Sequence, residues 1–143
     1  METLFLIAVI AGQRVALDAA MIESVVEIDA ITRVPRAAPH VLGLSALRSR
    51  VLTVIDSRAA LGLGATAPAD VHEAVVIKVE GHLYALVVDA VEDVAAFPAP
   101  HPITGALGCG WSRVALGTID HENGVLLVAD TAQLVAGPQA IAA

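Results

Sequence analysis

The chain has 143 residues, which fits one domain or two closely joined small ones with a real core that needs neither disulfides nor metals. It is 57% hydrophobic, 3% aromatic and 16% charged, which excludes a disordered tail and leaves Ala and Val to fill the core. The net charge of −7 argues against nucleic acid and anionic membrane surfaces as partners, and no apolar run reaches the roughly 18–20 residues of a spanning helix.

Met1, Glu2 and Thr3 carry no Lys or Arg ahead of the apolar LFLIAVIAG, so no signal peptide is expected. Leu4–Ile10 and Val15–Leu17 read as a hairpin with Gly12 at the turn. Residues 22–28 suit a strand or a short helix; periodicity does not decide. Pro35 and Pro39 mark a non-helical connection. Leu44–Leu47 and Val51–Asp56 are strand-like and flank Arg48-Ser49-Arg50, and Ser57–Leu61 makes a helical turn that Gly62 ends. Residues 63–70 form a loop. His72–Glu80 and His82–Asp89 form a second hairpin around Glu80-Gly81. Val91–Phe97 is a strand stopped by Pro98, and Pro98, Pro100 and Pro102 mark another loop. Val114–Asp120 and Val125–Asp130 make a third hairpin around Glu122-Asn123-Gly124.

Three segments share one form: VLTVID ending at Asp56, YALVVD at Asp89 and VLLVAD at Asp130. After Asp56 and Asp130 come the helix-like SRAALG and TAQLVAG, so both aspartates are expected as N-caps. The echo suggests two similar β-units in one chain. The frequent turns and short helical spans predict an all-β fold of nine or ten short strands, arranged as barrels.

No catalytic constellation is visible. The five histidines (His40, His72, His82, His101 and His121) lack the i, i+4 spacing of a zinc helix and are expected at the surface. Cys109 has no neighbouring base, cannot pair internally and fits a reducing cytoplasm as an inert thiol. Gly62–Gly64 lacks the Lys-Ser/Thr of a phosphate loop. Glu92-Asp93 reads as a solvated strand edge. With no catalytic machinery visible, what remains is a binding module with apolar Val, Ile and Leu surface left for partners; five of the eight basic residues (Arg33, Arg36, Arg48, Arg50 and Arg58) fall within 26 positions.

The order of these features resembles the CheW-like domain family. VLGLSALRSRVLTVIDSRAALG is similar to its signature region, with Gly43, Leu47-Arg48, Val51 to Asp56 and Arg58 as the matches. LFLIAVIAGQRVALD, ITRVPRAAPHVLG, VVIKVEGHLYALVVDAVEDV and GTIDHENGVLLVADTAQLV resemble its remaining hairpins and connections. Ser24, Ser49, Thr53 and Ser57 stand where the family favours Glu, Gly, Pro and Leu. The resemblance implies a single domain, residues 1–143, of two small five-stranded SH3-like β-barrels sharing one hydrophobic core, with short helical turns. It implies a cytoplasmic, non-catalytic adaptor without cofactor or metal. Its partners would be the regulatory domain of the histidine kinase CheA and the cytoplasmic tip of a chemoreceptor, with no nucleic acid and no membrane insertion. A scaffold of a pilus-motility or other non-chemotactic array is the alternative, followed by an unrelated ligand-binding barrel. Ile22, Gly43, Arg48, Val75 and Val94 are the partner-binding positions carried over. Core packing competes with contact for Ile22, Val75 and Val94, an ordinary turn competes for Gly43, and a structural salt bridge competes for Arg48. Arg50 is expected to be solvated.

Overall fold

Four tight turns organise the chain. In the computed structural model, which describes residues 2–67, 71–122 and 124–138, ten strands and three short helices follow one another. They are β1 (Thr3–Ile10), β2 (Gln13–Asp18), β3 (Ile22–Glu27), β4 (Val41–Leu47), β5 (Arg50–Asp56), α1 (Ser57–Ala60), β6 (Glu73–Val79), β7 (His82–Val88), β8 (Ala90–Phe97), α2 (Cys109–Val114), β9 (Ala115–His121), β10 (Gly124–Ala129) and α3 (Thr131–Ala136). The hairpins β1–β2, β4–β5, β6–β7 and β9–β10 all close over two residues. These are Ala11-Gly12, Arg48-Ser49, Glu80-Gly81 and Glu122-Asn123, and every described one of them has positive φ. Such a turn matches the strand twist but strains an L-residue with a side chain. Two of the four place Gly second and one places Asn. Only the Arg48-Ser49 turn has Ser there, with φ of 69°. Ser49→Gly should therefore raise stability by about 0.5–1 kcal/mol, read as an increase in melting temperature. An unchanged or lower value would show that the turn carries no strain.

The sheets have the orders β8-β1-β2-β10-β9 and β3-β6-β7-β5-β4. Hairpins pair antiparallel, while β2–β10 and β5–β7 pair parallel. The edge strands of each sheet are linked through the following segment by single bridges, Thr32 to Leu44 in one and His101 to Thr118 in the other. Together they make the two five-stranded, SH3-like units expected. Of residues 22–28, Ile22–Glu27 form strand β3 because β6 offers them a pairing edge from Ile77 to Glu73.

The two halves of the sequence repeat. The β1–β2 turn corresponds to the β6–β7 turn, and each neighbouring edge strand carries one extra residue at the same place, Glu23 in β3 and Glu92 in β8. Further on, β4–β5–α1 corresponds to β9–β10–α3, again with matching extra residues, Leu42 and Leu116. The barrels are not the repeats. Each takes its first hairpin from one half and its other three strands from the other half. A reciprocal exchange of this kind is its own inverse, so an approximate two-fold relates the halves. The VLTVID and VLLVAD segments are a true pair under it. YALVVD lies in β7, the counterpart of β2, so it is not a third copy.

The burial follows the same symmetry. One cluster, including Leu6, Leu17, Val75 and Leu86, lies between the sheets. The others fill the two barrels, one around Ile7 and Leu126, its counterpart around Leu52 and Val76. This is the shared core expected. Fully burying one Val, Leu or Ile contributes about 1.5–3 kcal/mol, so aliphatic area replaces the missing aromatics.

Asp56 and Asp130 cap α1 and α3 as expected, each accepting two backbone N–H bonds from the helix it caps. Helix α2 departs from the sequence reading, which placed Gly108, Cys109 and Gly110 in no element. Its glycines have poor helix propensity, and packing overrides it. Gly110 lies so close to Leu61 that a Cβ would meet the Leu61 carbonyl. Arg113, near the end of α2, donates from Nη1 to the Gln133 carbonyl of α3 at 2.7 Å and from Nη2 to the Ala60 carbonyl of α1 at 2.6 Å. One guanidinium thus satisfies carbonyls in both capped helices and ties the halves together. The thiol environment of Cys109 lies outside the described side chains, as do residues 68–70 of the predicted loop.

His40 corrects the expectation of surface histidines. It is 6% exposed, its Nε2 bonds the Val135 carbonyl at 2.8 Å, and its ring fills the space beside Gly137. The ring is buried because the connection after Pro39 passes under the end of α3, a long-range contact invisible in local sequence.

Candidate functional site

The site is built where the inter-sheet core reaches solvent. Opposite residues of an antiparallel pair share a face. Val94 opposes Leu6, Val25 opposes Val75, and Ile22 opposes Ile77. Leu6, Val75 and Ile77 all belong to the inter-sheet cluster, and Ile22 packs against it. Leu4 is on the Leu6 face of β1. Leu4, Val25 and Val94 are 54%, 41% and 50% exposed, so the apolar face continues into solvent along β1, β3 and β8. Exposed apolar area of this kind, rimmed by charge, is a usual mark of an interaction site.

Arg48 stands at one end of this surface. A hollow of about 380 Å³ between β3 and the β4–β5 tip is lined by Ser24, Val25, Val26, Leu47, Arg48 and Arg50, with Glu23 at its edge. Val25 belongs to both the hollow and the apolar face. Arg48 is exposed and has no acidic partner within salt-bridge distance among the described residues. Ser24, which shares the hollow, cannot supply the missing charge. Arg50 is exposed, as expected, and its Nη2 lies 3.5 Å from Glu23 Oε2 in a loose surface pair. Glu92, the counterpart of Glu23, pairs with Arg14 at 2.8 Å rather than being simply solvated. Both pairs are half exposed and each contributes about 0–1 kcal/mol.

The five carried-over positions fall in three places. Ile22 and Val94 join the apolar face, and Arg48 stands at its end. Val75 lies beneath it with no exposed surface, so its side chain is core and is removed from the contact set. Gly43 is buried in β4 opposite Val54, in the far barrel cluster, at φ +149°. A Cβ there would come within 2.2 Å of the Thr32 carbonyl. Gly117 meets His101 in the same way in the other half. The glycine is required by the strand crossing, in both halves. Leu4 and Val25 are members of the face that sequence reasoning missed. The extra residue Glu23 breaks the alternation, so Ile22 and Val25 share a face although three apart.

Among the described residues, no group of three or more His, Cys, Asp or Glu side chains is placed to hold a metal ion, and no helix is long and apolar enough to cross a membrane. The arrangement offers contact area and one uncompensated cation. Two hairpin-swapped SH3-like barrels with an apolar groove over their junction define a protein-binding module.

Comparison with known proteins gives the family. The chain belongs to the CheW-like domain family, whose model matches residues 4–139. The chemotaxis protein CheW of Rhizobium meliloti (strain 1021) is 40% identical over 63 residues. That match spans 44% of this chain and 41% of the relative, less than half the relative's length. The crystal structure of the scaffolding protein TtCheW from Thermoanaerobacter tengcongensis superimposes with a TM-score of 0.77, covering 91% of this chain and 85% of the other. At 21% identity that likeness speaks for the fold.

Proposed function

We propose that the chain is a non-catalytic adaptor of chemotaxis-type signalling in the cytoplasm, joining the helical cytoplasmic tip of a chemoreceptor to the regulatory domain of the histidine kinase CheA. The observation that carries the reading is the exposed apolar set Leu4, Val25 and Val94 at the margin of the inter-sheet core, with Arg48, unpaired among the described residues, in the hollow that Val25 also lines. An apolar groove of this kind suits an amphipathic helix, which binds by laying its apolar stripe in it. Family membership and the scaffolding relative support the adaptor role.

The test is titration of the protein with a receptor-tip fragment and, separately, with a CheA regulatory domain. Saturable binding of both is expected. Arg48→Glu should weaken receptor-tip binding about tenfold or more, through a lost cation and added repulsion, while leaving the melting temperature unchanged. If neither partner binds, the adaptor reading fails. If Arg48→Glu lowers the melting temperature in proportion to the lost binding, Arg48 is structural and leaves the contact set.

A further inference from the structure

Strands β3 and β4 are the two ends of one sheet, and they face each other across a seam in the barrel of Leu52 and Val76. Among the described residues, the Thr32–Leu44 bridge is the backbone link across it. Leu44 exchanges both backbone bonds with Thr32 at 2.8 Å, so its N–H and C=O point away from β5. Ala46, two residues on, points its backbone groups the same way, and they have no backbone partner among the described residues. On the other side, Ile28 donates to His72 on the β6 side. Glu27 and Val25, one and three residues before it, therefore turn their N–H and C=O toward β4.

Two hollows follow one another along this seam. The inner one, about 260 Å³, has an apolar floor of Val26, Ile28, Leu47 and Leu52 and is also lined by Glu27 and Asp29. The outer one is the Arg48 hollow, and the two share Val26 and Leu47. The other half of the molecule has the equivalent seam closed. Phe97 and His121, the counterparts of Ile28 and Leu47, meet edge-on there at 5.3 Å. The counterpart of Ala46 is the exposed Asp120, a charge of the kind that guards sheet edges. The β4 edge has neither device.

We infer that the β3–β4 seam takes an extended segment of a partner protein, which adds to the β4 edge as a strand. Backbone pairing at Ala46 holds it, and the successive hollows receive alternate side chains. The segment continues the antiparallel line that Thr32 starts, so it runs from Arg48 toward Thr32. Its first inward side chain enters the outer hollow. Glu23 is paired there by Arg50, while Arg48 has no acidic partner among the described residues, so a carboxylate fits. The next inward side chain, two residues later, enters the inner hollow. Its floor suits Leu or Ile, and Glu27 and Asp29, with Glu73 opposite Glu27, repel a second carboxylate. The inference goes beyond the adaptor reading and does not rest on it: the helix groove lies over the inter-sheet core, the seam over the barrel core.

The capped peptide Thr-Glu-Thr-Leu-Thr, titrated into the isotope-labelled full chain, tests it. Saturable shifts are expected at Val25, Glu27 and Ala46, with slowed hydrogen exchange of the Ala46 N–H. The same peptide with Gly in place of Leu should not saturate. Arg48→Ala should weaken the Glu peptide about two- to fivefold and leave its Gln analogue unchanged. The double variant Ile28→Phe/Leu47→His copies the closed seam and should abolish binding; if it fails to fold, the peptide comparisons on the unaltered chain decide. No saturable shift at Ala46 overturns the inference. Shifts confined to Leu4, Ile22 and Val94 overturn it as well, by moving the peptide to the helix groove. Protection of the Ala46 N–H that grows with protein concentration alone assigns the edge to a second copy and is equally fatal. A peptide that binds at Ala46 when neither receptor tip nor CheA domain binds would sink the adaptor reading and keep this one.

Discussion

Gly43→Ala is expected to cost about 3–5 kcal/mol, enough to unfold much of the population of a domain whose total stability is of order 5–15 kcal/mol. Two terms add. The added Cβ would stand 2.2 Å from the Thr32 carbonyl oxygen and 2.8 Å from Ile31 Cγ2. Relieving that overlap means moving the backbone that bridges Thr32 to Leu44, where N–H···O bonds of 2.8 Å run both ways. Overpacking costs about 1–3 kcal/mol, and holding an L-residue at φ +149° costs about 1–3 more. The internal repeat supplies the control. At Gly117, φ is not in the left-handed region and the nearest backbone contact is 2.8 Å, to the His101 carbonyl. Gly117→Ala should therefore destabilise by roughly half as much, since only the overlap term operates. Chemical denaturation of both variants measures the difference. A Gly43→Ala protein of native stability would remove the crossing as the reason for this glycine and return it to the contact set. If stability and partner binding fall together, the loss of binding is a folding effect.

Asp56→Ala should cost about 3 kcal/mol, and Asp130→Ala only about 1. Both aspartates cap a helix, but their surroundings differ. Asp56 is 1% exposed and accepts four bonds: from the N–H groups of Arg58 and Ala59, from Thr66 N–H at 2.7 Å, and from Thr66 Oγ1 at 2.8 Å. Among the described residues, Asp130 accepts only from Ala132 and Gln133. Losing a cap costs about 1 kcal/mol, and each buried donor left without an acceptor adds about 1–3. Asp56 also holds the segment after α1 through Thr66, so its removal should make that loop more open to proteolysis than removal of Asp130 does. Equal losses for the two variants would show that the Thr66 bonds contribute nothing beyond the cap.

Much of this molecule is local and therefore legible in the chain. Three of the four hairpins follow from aliphatic runs around turns that carry Gly or Asn, because few residue types tolerate positive φ there; the fourth shows in the chain only as two strand-like runs flanking Arg48-Ser49-Arg50. The caps follow from Asp before a short helical run, since a carboxylate two or three residues away from free N–H groups reaches them without help. The repeat is readable as well, from VLTVID-SRAALG and VLLVAD-TAQLVAG. Arg48 stands out from the sequence as a cation between two apolar strands.

What lay out of reach depends on contacts between residues distant in the chain. The sequence shows two similar units but not that they exchange hairpins, because β2–β10 and β5–β7 pairing is decided by which edges are free once the chain collapses. Residues 22–27 have no local preference, and pairing with β6 makes them a strand. The extra residue Glu23 then turns Val25 to the same face as Ile22, which a strict period of two misassigns. Val75 and Val94 look alike in sequence. One ends beneath the junction of the sheets and the other on its rim, since burial depends on what the other half places above each strand. Arg113 and His40 act on carbonyls 20 to 95 residues away.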